Sequence, residues 1–114
     1  VSFKPLDEGR WLHDMLERIC QFIAGLSYEE FVADTRTVYA VTRCLEIISE
    51  ASRRLSEALK ARHPHILWKD MAGAGNIYRH DYEDVGALAV WHTVENSLPA
   101  LRTAIEAELK SLRE

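Results

Sequence analysis

Asp34-Thr35-Arg36-Thr37-Val38-Tyr39-Ala40-Val41-Thr42-Arg43-Cys44-Leu45-Glu46-Ile47-Ile48-Ser49-Glu50-Ala51-Ser52-Arg53-Arg54-Leu55-Ser56-Glu57-Ala58-Leu59 is the stretch whose reading decides the fold. Val38, Val41, Leu45, Ile48, Leu55 and Leu59 fall at three- and four-residue steps or sums of them. That is the period of an amphipathic helix, not of a strand. The polar side carries Arg36, Arg43, Glu46, Glu50, Arg53, Arg54 and Glu57. Asp34 suits the N-cap, so the pattern predicts one helix of about seven turns. Glu50 and Arg54, four residues apart, predict a surface ion pair worth about 0.2–0.5 kcal/mol.

Outward toward the N-terminus, Asp7 suits a helix cap and Glu8 the first turn. Leu12, Met15, Leu16, Ile19, Phe22, Ile23 and Leu26 then predict one broad apolar face, with Gly25 at its stop. Ser27 and Glu30 have the spacing of a capping box, which predicts a short turn of helix over Tyr28–Val32. Outward in the other direction, Pro64 ends the long helix near Arg62 or His63 and suits the first turn of the next. Ile66, Leu67, Met71 and Ala74 give that next helix a weak stripe. Gly73 and Gly75 each cost it roughly 1 kcal/mol. Such glycines permit close approach of another backbone or leave room for a ligand. Asp84 is read as the cap of a helix with Leu88, Trp91 and Val94 inward. Asn96 or Ser97 interrupts it, and Pro99 fits the start of a last helix carrying Leu98, Leu101, Ile105, Leu109 and Leu112.

The expected fold is therefore all-α: an antiparallel bundle of four main helices with short connecting helices, one domain over residues 1–114. Apolar residues make up 47 % of the chain, with only five glycines and three prolines, which disfavours a turn-rich sheet. A bundle of this size leaves apolar surface for a second copy, so a homodimer is expected. The formal net charge of −4 gives no bulk support for nonspecific nucleic-acid affinity. Arg53, Arg54, Lys60, Arg62, Lys69 and Arg79 nevertheless make the centre locally basic. Cys20 and Cys44 sit among apolar neighbours and predict buried thiols without a disulfide framework. No leader pattern or membrane-length apolar run is visible, and the cytoplasm is the expected compartment.

Several chemistries are disfavoured. His63-x-His65 does not put two ligands on one helical face, and the cysteines form no Cys-x-x-Cys unit, so neither a metal nor a cofactor is expected. Gly73-x-Gly75 follows no strand, and no Gly-x-Ser-x-Gly elbow is present. What remains is Arg79-His80-Asp81-Tyr82, with Asn76 one helical turn before His80. An imidazole moves protons near neutral pH and a guanidinium holds phosphate through paired donors, a combination able to cleave RNA without metal. The same residues also suit structural capping, interface hydrogen bonds or noncatalytic ligand binding.

The run Ala40–Ala51, then His63-Pro64-His65-Ile66-Leu67-Trp68-Lys69-Asp70-Met71-Ala72-Gly73, then Asn76-Ile77-Tyr78-Arg79-His80-Asp81-Tyr82, resembles the HepT-like (DUF86) group of the HEPN superfamily. Asp84, Trp91 and Leu98-Pro99-Ala100-Leu101 extend the likeness over about residues 10–112. The resemblance implies an all-helical dimer and a ribonuclease toxin whose antitoxin is an MNT-type nucleotidyltransferase. It implies His80 as acid/base, Tyr82 as the position that the partner modifies with adenylate, and Glu50 as the acidic residue of the long helix. With it, Arg79 becomes the candidate phosphate clamp and Asn76 an orienting group, while Arg43 and Lys69 join Glu50 as candidate substrate-binding residues. One position departs from the family: Gly75 stands where its arginine falls, five residues before His80. Adjacent helical residues point about 100° apart, so Arg79 does not simply take that place within one subunit. The departure leaves an alternative, a noncatalytic nucleotide-binding protein or helical partner of a nucleotidyltransferase.

Overall fold

The computed structural model describes residues 5–73 and 83–113, with side chains described over 8–73 and 86–111. Seven helices occur among the described residues: α1 (Pro5–Ile23), α2 (Tyr28–Ala33), α3 (Thr35–Arg54), α4 (Glu57–Arg62), α5 (Trp68–Gly73), α6 (Glu83–Asn96) and α7 (Leu98–Arg113). The four long ones are α1, α3, α6 and α7, and the other three are short connectors of six residues each. Among the described residues the fold is all-α, as expected.

Ion pairs fix the helix directions. Glu8 near the start of α1 meets Arg54 at the end of α3, so these two run antiparallel. His13 meets Glu106 and Glu17 meets Arg102, so α1 and α7 also run antiparallel. Between them lies one core cluster built on Leu12, Ile19, Phe31, Val41, Leu45, Ile48, Leu101 and Ile105, all fully buried. At about 25 cal/mol per Å² this apolar burial is the main favourable term.

Local chemistry sets most of the joints. Gly25 takes a positive φ of 77°, the left-handed conformation that ends α1 at little steric cost. The Ser27 hydroxyl accepts from Glu30 N at 3.1 Å while the Glu30 carboxylate accepts from Ser27 N at 3.0 Å, completing the expected capping box. Asp34 caps α3 by accepting from Thr37 N. Phe31 then pins α2, its ring 5.0 Å from that of Trp91 on α6.

Several expectations need correction. The seven-turn helix is two helices: Leu55 is extended, and the Ser56 hydroxyl accepts from Leu59 N to cap α4 afresh. Leu55 and Leu59 are both buried regardless, which is why their spacing concealed the break. The first helix opens at Pro5, so Asp7 lies inside it, and the sixth opens at Glu83, so Asp84 does too. Pro64 belongs to a turn and not to α5, which opens at Trp68, whose Nε1 donates to the carbonyls of Lys60 and His63 across that turn. Leu67 is 70 % exposed and Leu88 52 %, so neither faces the core. In α6 the inward positions are Ala87, Val90 and Val94. Phe22 is exposed beyond the last inward turn of α1, and Cys20 is exposed while Cys44 is buried. Among the described residues nothing lies within 4 Å of a Cβ built on Gly73, so no close backbone approach among them explains that glycine.

Candidate active-site cleft

A cleft of about 460 Å³ opens between the start of α1 and the second half of α3. Helical spacing assembles its wall, since Arg43, Ile47, Glu50 and Arg54 follow one another at three and four residues along α3. Arg43 pairs with Glu46 at 3.6 Å. Glu50 is shared, accepting from Arg53 at 2.9 Å and lying 3.0 Å from Arg54. Glu8 and Trp11 close the cleft from α1.

Glu8 is the unusual member. Its side chain is 2 % exposed, and neither carboxylate oxygen accepts a hydrogen bond among the described residues. The Arg54 guanidinium stands 3.7 Å away, near enough for attraction and too far for a hydrogen bond. A buried carboxylate left so is costly, and such groups concentrate at functional sites.

Arg53 connects the cleft to α5. Its Nη2 donates to the carbonyl of Ala72 at 2.5 Å, in the last turn of that helix. The chain therefore reaches residue 73 beside the cleft, immediately ahead of the stretch that carries the Arg79-His80 motif. Asn76, Arg79, His80 and Tyr82 lie outside the described residues. Of the other sequence-level candidates, Glu50 and Arg43 share the cleft wall, whereas Lys69 sits exposed on α5 and does not line it. Glu8 was missed as a site residue because a first-turn acid is ordinarily a surface group. The signal was present, since Glu8 stands four residues before Leu12 on the buried stripe of α1.

Two further polar clusters serve the scaffold. His63 Nε2 meets the Glu108 carboxylate at 2.7 Å, and Arg62 donates to it through Nε at 3.1 Å and Nη2 at 2.6 Å, joining α4 to α7. The Arg62 hydrogen bonds, then that of His63, hold the Glu108 carboxyl below its ordinary range. Thus His63, weighed above for a metal, serves an interhelical clamp. Among the described residues the donors nearest a metal-like arrangement are instead His13, Glu17 and Glu106. Arg102 pairs with both carboxylates, which makes the group an ion network tying α1 to α7.

Among the described residues the chain is an all-helical scaffold with an arginine- and glutamate-lined cleft, consistent with a HEPN-like helical protein. The chain belongs to the ribonuclease HepT-like family, whose model matches residues 12–108. It is 35 % identical over 111 residues to a protein of Methanocaldococcus jannaschii named "Putative RNase", covering 95 % of this chain and 96 % of that one. A second protein of that organism with the same designation is 34 % identical over 93 % of this chain and 90 % of its own length. The "Probable ribonuclease HepT" of Thermococcus cleftensis is 36 % identical over 82 % of this chain and 84 % of its own. No solved structure gives a significant match. Among the described residues no helix is long and apolar enough to cross a membrane.

Proposed function

We propose that this protein is a metal-independent endoribonuclease, active as a homodimer and serving as the toxin partner of an MNT-type nucleotidyltransferase antitoxin. The family match over residues 12–108, which spans the His80-x-Tyr82 motif, is the observation that carries the reading. The ribonuclease names of the relatives support it. His80 takes the proton of an RNA 2′-hydroxyl, whose oxygen attacks the adjacent phosphorus. The new P–O2′ bond replaces the P–O5′ bond, the leaving 5′-oxygen takes the proton back from the His80 imidazolium, and a 2′,3′-cyclic phosphate results. Arg79 balances the charge gathering on the phosphoryl oxygens, reaching the reaction from the other subunit, and Asn76 orients the phosphate. Tyr82 is the regulatory acceptor of adenylate.

Purified protein incubated with RNA in EDTA cleaves it, and His80→Ala does not. Equal cleavage by that variant removes the role given to His80. Gly75 in place of the family arginine favours one second reading, a noncatalytic nucleotide-binding or helical partner of a nucleotidyltransferase. A stable stoichiometric complex with such a transferase, together with no RNA cleavage, selects it.

A further inference from the structure

We infer that the cleft between α1 and α3 is a subsite for a single guanine base of the RNA, read by Glu8; this rests on the ribonuclease reading above. The cleft's volume of about 460 Å³ falls within the roughly 300–1,000 Å³ of small-molecule sites. Glu8 supplies two acceptor oxygens, neither of which accepts a hydrogen bond among the described residues. Both are therefore open to hydrogen-bond donors, which a base edge supplies as N–H groups. Guanine alone among the RNA bases presents two adjacent donors on its pairing edge, N1–H and the 2-amino group, at the spacing of a carboxylate. Adenine and cytosine each set an acceptor nitrogen beside their amino donor, and uracil flanks its one donor with carbonyls. Either arrangement turns an acceptor toward the carboxylate.

The rest of the cleft suits the rest of a nucleotide. Trp11, 44 % exposed, offers the flat aromatic face on which single-stranded bases stack. Arg54 stands 3.7 Å from Glu8 and 3.0 Å from Glu50, so its guanidinium can swing from the carboxylate toward a phosphate as the base edge enters. Arg53 ties the same wall to Ala72 in the last turn of α5.

The test uses fluorescently labelled pentanucleotides without 2′-hydroxyls, which bind and cannot be cleaved. Each carries one guanine, hypoxanthine or adenine in a thymine background, and binding is followed by anisotropy. The guanine oligonucleotide binds at least about tenfold tighter than the hypoxanthine one, which lacks only the 2-amino group. Glu8→Gln abolishes that preference, whereas Trp11→Ala weakens all three oligonucleotides alike, with circular dichroism confirming that both variants are folded. Equal binding of the three by the unaltered protein, no binding of any, or a preference that survives Glu8→Gln overturns the inference. Guanine-selective binding without cleavage of ordinary RNA removes the nuclease reading and leaves the base site. Cleavage without any base preference does the reverse.

Discussion

Arg53 is one polar link between the cleft wall and α5, and replacing it measures how much that contact contributes to their coupling. The guanidinium makes one charge-assisted hydrogen bond to Ala72 O at 2.5 Å and one to Glu50 at 2.9 Å. Hydrogen bonds to charged groups are worth about 1.5–3 kcal/mol where desolvated. Both Arg53 and Glu50 are about half exposed, which reduces the ion pair to roughly 0–1 kcal/mol. The carbonyl contact therefore dominates, and Arg53→Met, which keeps the aliphatic stem, is expected to lose about 1–2 kcal/mol. Since about 1.4 kcal/mol corresponds to a factor of ten, amide exchange across α5 should accelerate about tenfold. The melting temperature should fall by roughly 4 °C for each kcal/mol that reaches global stability. RNA cleavage should drop by a similar factor as exchange rises, because the mispositioned chain leads directly into the histidine motif. Unchanged exchange in α5 would refute the coupling. A global loss above about 3 kcal/mol would instead make Arg53 part of the core.

Phe31 is fully buried against Trp91, so Phe31→Ala should cost about 3–5 kcal/mol in urea unfolding, while Phe22→Ala on the exposed side of α1 stays near or below about 1 kcal/mol. A thiol reagent should label Cys20 in the native protein and leave Cys44 silent until unfolding, because Cys44 is buried and burial pushes its thiol pKa up; mass spectrometry reads the site. Glu108 is held below its ordinary value of 4.5 by Arg62 and then His63, so its contribution is complete above that value and is lost as pH falls through the depressed one. Melting between pH 6 and roughly pH 3 should therefore show a steeper acid loss for the parent than for Glu108→Gln, and parallel curves would remove the clamp.

The parts legible in the sequence are those decided by neighbours a few residues apart. Ser27 with Glu30, Asp34 as a cap, Gly25 as a stop and the seam of Val38, Val41, Leu45 and Ile48 all obey local rules, and the structure follows them. The inward face of α6 was not legible because Val85, Ala87, Leu88, Ala89, Val90 and Trp91 are apolar nearly all round, so periodicity selects no side. Packing selects it instead, turning Ala87 and Val90 in and Leu88 out. Cys20 lies at the edge of the α1 stripe, where Arg102 Nη1 donates to its sulfur at 3.0 Å, a partner 82 residues away that no window along the chain contains. Glu50 and Arg43, both read on the polar side of the long helix, line one wall of the cleft. Glu8 escaped because its meaning depends on Arg54 and on α3 across the groove.

The joint at Leu55–Ser56 also determines where the chain can tolerate a change of length. Ser56 sets the rotational phase of α4 anew, so one residue added there shifts the connector without turning what precedes it. The same addition between Leu45 and Ile48 would rotate the rest of α3 by about 100°, carrying Ile48 and Ala51 out of contact and Glu50 off its wall. Length variation among natural or engineered versions of this scaffold should accordingly gather at that joint and be purged from the middle of α3.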